Sequence, residues 1–179
     1  MPRFDVDFGS VDGTIPTYPK ARYQLKVTNG KPFVRLNRKD EQIAGVRYSF
    51  QMIGVYNPKG QLDRADEGRS VSTYTVWVHT KGGWQFAKPF MIAGLGYTRQ
   101  EEAACDEKWF TQDAFKAGDW SVNGEVDAAD PPTMGKGFEE IIGTILDVNL
   151  DIDVQETEDR TYENQEFSGW SPPAKPSKK

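Results

Sequence analysis

The amino-acid sequence predicts a mainly β protein with a helical insertion. Three observations support this class: segments in the first 80 residues alternate apolar and polar side chains, a stretch richer in helix formers follows at about 86–115, and alternation returns near the C-terminus. A chain of 179 residues fits one domain and can bury a core. We predict an N-terminal arm over 1–19, a single domain over 20–171 and a flexible basic tail over 172–179.

The first predicted element is a hairpin in the segment ARYQLKVTNGKPFVRLN. Asn29 and Gly30 form a strong turn signal between two strand-like runs. In the first run, apolar and polar side chains alternate, with Tyr23, Leu25 and Val27 between Arg22, Gln24 and Lys26. One face of this strand is therefore expected to be apolar and the other basic.

Two further strands are predicted before residue 80. GVRYSFQMIGVY places Tyr48 and Phe50 on an apolar face and Arg47 on the opposite face. The polar stretch NPKGQLDRADEG is predicted to be a loop, and RSVSTYTVWVHT, rich in β-branched and aromatic residues, is predicted to be a strand that KGGW breaks. These segments favour a mostly antiparallel sheet.

The helical insertion is predicted over Phe86–Phe115. Phe90, Ala93 and Leu95 form its expected core stripe, and Glu101–Lys108 is a second helical stretch. Pro89 suits the first turn of the first helix and Gly96 its end.

A second hairpin is predicted to close the chain, after the Gly- and Pro-rich loop GDWSVNGEVDAADPPTMGKG. Its first arm lies in Ile141–Glu158, where Leu146, Val148, Leu150, Ile152 and Val154 alternate with Asp147, Asn149, Asp151 and Asp153. Its second arm is Arg160–Trp170. If this hairpin pairs with an earlier strand and the helix plugs the open end, the result is an OB-like small antiparallel β-barrel of five strands.

The net charge of −5 is unevenly divided along the chain. Residues 1–100 carry +7 and residues 101–179 carry −12. A basic half beside an acidic half is typical of a polyanion-binding face with a repelling flank, although two solvated surfaces would give the same count.

Three segments of the sequence resemble a family of small phage-encoded proteins associated with recombination and replication. They are FDVDFGSVDG with TYPKARYQLKV, the central KPFMIAGLGY, and the closing hairpin with Tyr162, Asn164, Trp170 and Pro172. The resemblance implies an OB-fold protein that binds single-stranded DNA in the cytoplasm of the host cell, with phage replication or recombination proteins as further partners. The basic C-terminus differs from the acidic, aromatic-ended tip that commonly recruits enzymes.

The candidate nucleic-acid-binding residues are aromatic and basic side chains of the first 86 residues. Unstacked bases need aromatic faces, and the phosphate backbone needs positive charge. The set is Lys20, Arg22, Lys26, Lys31, Phe33, Arg35, Arg38, Lys39, Arg47, Tyr56, Trp77 and Trp84. Tyr23, Tyr48 and Phe50 are expected in the core instead, because they lie on alternating apolar faces.

Enzymatic signals are weak in this sequence. No P-loop or Rossmann spacing occurs, and Cys105 lies among acids that disfavour a thiolate. Asp147, Asp151 and Asp153 are predicted to form a solvated strand face, and the single His79 excludes the usual His/Cys metal sites. We therefore expect no catalytic residue, cofactor or metal.

Alternatives to single-strand binding remain at this stage. A phage structural or protein–protein assembly module would use the same β-barrel, whereas a carboxylate-dependent nuclease fits less well. No run of about 18 apolar residues and no secretory signal occurs, so we expect no membrane partner. Assembly into a homo-oligomer is left open.

Overall fold

The computed structural model describes residues 16–110 and 135–174. Its elements are β1 (Ala21–Leu36), β2 (Gln42–Tyr56), β3 (Leu62–Asp63), β4 (Ser70–Trp77), α1 (Lys81–Gly94), a 3-10 turn (Arg99–Glu101), α2 (Glu102–Trp109), α3 (Lys136–Glu140), β5 (Ile145–Glu156) and β6 (Thr161–Ser171). The predictions for residues 1–15, 111–134 and 175–179 lie outside the described residues.

The six strands form one antiparallel sheet in the order β3-β2-β1-β5-β6. β3 and β4 both pair with one edge of β2, and β1 pairs with the opposite edge. The mainly β class with a helical insertion is confirmed. The sheet is not closed, since in the described chain β4 and β6 remain edge strands with no pairing between them.

The predicted hairpin at Asn29 and Gly30 is wrong, because β1 runs straight through both residues. They pair with Ser49 and Tyr48 of β2, next to a bulge after Val27. Gly30 is buried, and a Cβ added to it would lie 2.8 Å from Cε1 of the Tyr48 ring. Glycine is needed here for close packing and not for a turn.

The actual reversal between β1 and β2 is the segment Asn37–Glu41. The side-chain oxygen of Asn37 accepts hydrogen bonds from the backbone N–H groups of Lys39 (2.8 Å) and Glu41 (3.0 Å). Asp40 has a positive φ of 57°, which an Asp tolerates in a tight turn.

The core lies between the inner face of the sheet and α1. The predicted core residues Tyr23, Tyr48 and Phe50 are all buried, as expected from their alternation. The ring centroid of Phe90 on α1 lies 5.0 Å from that of Tyr48, and the Tyr48 hydroxyl donates to the carbonyl of Phe138 at 2.9 Å. Burial of these aromatic rings supplies much of the favourable free energy of folding.

The first helix begins earlier than the sequence predicts. Thr80 caps α1 by accepting a hydrogen bond from the N–H of Gly83 at 3.0 Å, so KGGW opens the helix as well as ending the strand. Pro89 therefore lies inside α1 and not in its first turn. Gly96 follows the helix end with a φ of 84°, and it does terminate the helix as predicted.

The closing hairpin is confirmed as β5 and β6, and β5 pairs with β1. The rings of Phe167 and Trp170 stack with centroids 5.5 Å apart. Trp170 also lies 5.2 Å from Tyr74 of β4 and 4.9 Å from Phe90. Side chains, and not backbone pairing, thus connect the two edge strands.

The residues just before β1 also connect these edges. The N–H of Tyr18 donates to the side-chain oxygen of Gln165 on β6 at 2.6 Å, and the Tyr18 hydroxyl donates to the carbonyl of Ser70 at 3.2 Å. Tyr18 is buried. Tyr18 thereby also bridges the gap between β4 and β6, which we call the seam.

Candidate nucleic-acid interface

Two aromatic rings lie side by side on the outer face of the sheet. Phe33 of β1 and Trp77 of β4 both pair in register with Gly45 of β2, so they face each other across it. Their ring centroids are 5.6 Å apart with an interplanar angle of 85°, and both side chains keep part of their surface exposed. We call this pair the aromatic platform.

Gly45 makes the platform possible. A Cβ added there would lie 2.8 Å from the carbonyl oxygen of Val76 and 3.1 Å from Cζ of Phe33. Any side chain would therefore push the Phe33 ring away from the sheet.

Two exposed arginines flank the platform. The guanidinium carbon of Arg47 lies 5.3 Å from the centre of the Phe33 ring, and that of Arg35 lies 5.8 Å from it. These distances permit cation–π attraction. Among the described residues neither arginine forms an ion pair with a carboxylate, so both charges remain available to an anionic ligand. Lys31 is exposed beside them, opposite Arg47.

Charged side chains are segregated between strands of the sheet. β1, β2 and β4 together carry five Lys or Arg and no Asp or Glu, whereas β5 and β6 carry six Asp or Glu and no Lys or Arg. The platform belongs to the basic part. The basic first half and the acidic second half of the sequence thus form a basic and an acidic region of the same sheet.

The structure brings together some of the predicted site residues. Lys31, Phe33, Arg35, Arg47 and Trp77 share the outer face of β1, β2 and β4. Arg38 and Lys39 lie exposed in the turn that follows β1. Lys26 is exposed in the first half of β1.

Arg22 and Lys20 are bound to other groups. Arg22 donates to the side chain of Asn149 (3.0 Å), the carbonyl of Gly169 (3.2 Å) and the hydroxyl of Ser171 (2.6 Å), which ties β1 to the closing hairpin. Lys20 forms an ion pair with Asp151 at 2.8 Å, and this hydrogen bond lowers the pKa of the Asp151 carboxyl. Neither cation lies on the platform.

Tyr56 also lies outside the platform, in a polar cluster with Asp147. The Tyr56 hydroxyl donates to the Asp147 carboxylate at 3.1 Å, and the Gln24 amide donates to it at 3.2 Å. Burial, followed by the nearby Asp147 charge, raises the pKa of Tyr56. Asp147 is only 4% exposed, so the prediction of a solvated face is wrong for this residue.

Trp84 packs against the interior. Its ring lies 5.7 Å from that of Phe110 and 6.1 Å from that of Phe138, so it supports the packing of α1 on the core. His79, which follows β4, is exposed. It also lies 5.6 Å from the Trp77 ring, which extends the platform by one more ring.

An open cavity of about 550 Å³ occupies the seam next to the platform. Thr73, Thr75 and Trp77 form its β4 side, and Asp151, Glu166 and Ser168 form the opposite side. The alternation in STYTVW places the three β4 residues on one face of the strand. Nothing in the sequence indicates that Asp151, Glu166 and Ser168 lie opposite them.

The described residues contain no group of three or more His, Cys, Asp or Glu that could hold a metal ion. Within the same ranges no helix is long and apolar enough to cross a membrane. Comparison with known protein families and with characterised proteins gives no match.

Proposed function

We propose that this chain is a single-stranded DNA-binding protein that holds its ligand on the outer face of β1, β2 and β4. The observation that carries the proposal is the platform: two partly exposed rings beside two arginines that form no ion pair with any described carboxylate. Exposed bases stack on aromatic rings, while the guanidinium groups neutralise the phosphates between them. Such binding tolerates any sequence, because every base has a π-face.

The strand order supports an OB-like arrangement. A meander of β1, β2 and β4, then a helix, then a hairpin whose first strand returns to β1, matches the order of an OB-fold barrel. OB-folds bind oligonucleotides on the face of their second and third strands, between two loops. Here that face is formed by β2 and β4, and it carries Arg47 and Trp77.

A direct test compares Trp77→Ala with Phe86→Ala. Phe86 is 83% exposed on α1 and provides a matched loss of an exposed aromatic ring away from the platform. We expect Trp77→Ala to weaken binding of a labelled oligo-dT by about 1–3 kcal/mol, the cost of one lost stacking contact. Phe86→Ala should leave the affinity unchanged, as measured by fluorescence anisotropy.

The controls for this test concern folding. Both variants need melting curves, since Trp77 also packs against Phe33. Folded Trp77→Ala protein that binds oligo-dT as tightly as the wild type would remove the platform from the proposed function.

The alternative function, a structural or protein–protein assembly module, is favoured by the outer edges of β4 and β6, which pair with no further strand in the part of the chain that the structure describes. Such edges pair readily with another chain. Assembly should then depend on protein concentration and persist without nucleic acid, which sedimentation in the absence of DNA would measure.

A further inference from the structure

The outer face presents a gradient of charge from β1 to β6. Arg35 and Arg47 lie on β1 and β2, Trp77 follows on β4, and the seam separates Trp77 from Glu166 on β6. Beyond the seam, Asp151, Asp153 and Glu166 share the outer face of β5 and β6, and we call these three residues the acidic wall.

The acidic wall contains an electrostatically unfavourable pair. Asp151 and Glu166 are directly opposite each other in the register of β5 and β6, where like charges destabilise a sheet. Lys20 pairs with Asp151, but among the described residues Glu166 forms no ion pair and is exposed. The hydrogen bond to Asp151, and after it the Glu166 charge, raises the pKa of Lys20, so one cation faces two carboxylates and the rim of the cavity keeps a net negative charge.

We infer that the acidic wall makes the site selective for single strands by repelling the second backbone of a duplex. This inference rests on the proposed function. Phosphates that contact Arg35 and Arg47 place the bases towards Trp77 and the seam. In a duplex the paired strand continues beyond the bases, so its phosphates would lie towards Glu166 on the far side of the seam, where the negative charge of the acidic wall repels them. A lone strand has no phosphates there.

The variant Asp153→Asn plus Glu166→Gln tests this role. Asn can still accept the hydrogen bond that Gln155 donates to Asp153 at 2.9 Å, so the hairpin should fold normally. The matched control is Glu107→Gln plus Glu140→Gln, which changes the net charge equally at exposed positions on α2 and α3. Oligo-dT and a hairpin duplex with the same number of phosphates serve as probes at about 0.1 M salt, where the Debye length is about 10 Å.

We expect the acidic-wall variant to bind the duplex about fivefold more tightly than the control variant does, with the oligo-dT affinity of the two within about twofold. An equal gain in duplex affinity for both variants, or a wild type that already binds duplex and oligo-dT equally, would overturn the inference while the proposed function stands. A wild type that binds neither probe would overturn both.

Discussion

Arg47 is the platform cation with the most direct contact to an aromatic ring. Its guanidinium lies 5.3 Å from the Phe33 ring centre, and its exposed side chain has no carboxylate partner in the described ranges. Removing an exposed, unpaired charge costs little stability. We therefore expect Arg47→Ala to keep the melting temperature while reducing the slope of log K against log salt for oligo-dT by about 0.7, the value for one lost phosphate contact.

Lys59→Ala provides the matched control for Arg47→Ala. Lys59 is exposed in the loop after β2, away from the platform strands. Lys59→Ala should leave the slope of log K against log salt as in the wild type. An unchanged slope for Arg47→Ala would show that this arginine does not contact phosphate.

Cys105 is buried on α2, and burial, together with the negative charge of Asp106, raises the pKa of its thiol to about 11. Only the thiolate is nucleophilic. We expect a thiol-specific disulfide reagent at pH 8 to label the folded protein far more slowly than the protein in denaturant. Equal rates would show that the thiol is accessible.

The raised pKa of Cys105 also sets a direction for stability. The folded state holds the thiol proton more tightly than the unfolded chain, whose ordinary value is 9.0. The stabilisation of the folded state by the protonated Cys105 thiol is fully present below about pH 9, and it is lost as the pH rises towards 11.

At the residue scale, the sequence pattern selected part of the candidate site. Phe33 and Trp77 were both predicted as aromatic members of the nucleic-acid-binding set, and the structure places them together. The same pattern could not separate a free cation such as Arg47 from Arg22, whose three acceptors lie more than 120 residues away in sequence. Long-range hydrogen bonding decides that difference, and alternation carries no information about it.

The closing hairpin is the element on which the fold most depends. Phe167 and Trp170 on β6 contact Phe50, Tyr74 and Phe90 of the core. Both rings are partly buried against the core. Loss of a fully buried aromatic side chain costs about 3–5 kcal/mol, so losing both rings together with the pairing of β6 on β5 removes a large part of the about 5–15 kcal/mol that stabilises a small domain. We expect a chain ending at residue 160 to lose cooperative thermal unfolding.

A chain ending at residue 171 is the control for that truncation, because it keeps β6 complete. It should melt like the full-length protein in circular dichroism. A cooperatively melting, soluble 160-residue chain would show that the hairpin is an appendage.

At the element scale, the strands were predicted better than their ends. The Asn29 and Gly30 pair has the composition of a hairpin turn, but Gly30 is required beneath the Tyr48 ring, a tertiary constraint that the sequence does not display. Asn37 provides the true turn through its side-chain hydrogen bonds. Turn chemistry is local, whereas the choice between two candidate turns depends on packing.

At the scale of the molecule, the strand order places the two oppositely charged halves of the chain on different parts of one sheet. β1, β2 and β4 precede α1, and β5 and β6 follow it, so the basic first half and acidic second half become neighbouring regions of one sheet. The sequence predicted the charge split and the antiparallel order. It did not predict the open seam, because the separation between β4 and β6 depends on the packing of Tyr74, Phe167 and Trp170 beneath it.

The salt dependence of oligo-dT affinity is a property of the whole protein, because it adds up every phosphate contact. The net charge of −5 alone would disfavour any polyanion, so the proposed binding depends on the local basic region. The cations of this region are Lys31, Arg35 and Arg47 on the platform strands and Arg38 and Lys39 in the turn after β1. Each phosphate contact on a single strand contributes about −0.7 to the slope of log K against log salt, so we expect a slope of about −2 to −3.5 for oligo-dT. A slope near zero in a titration from about 0.05 to 0.2 M salt would contradict phosphate contact at the platform.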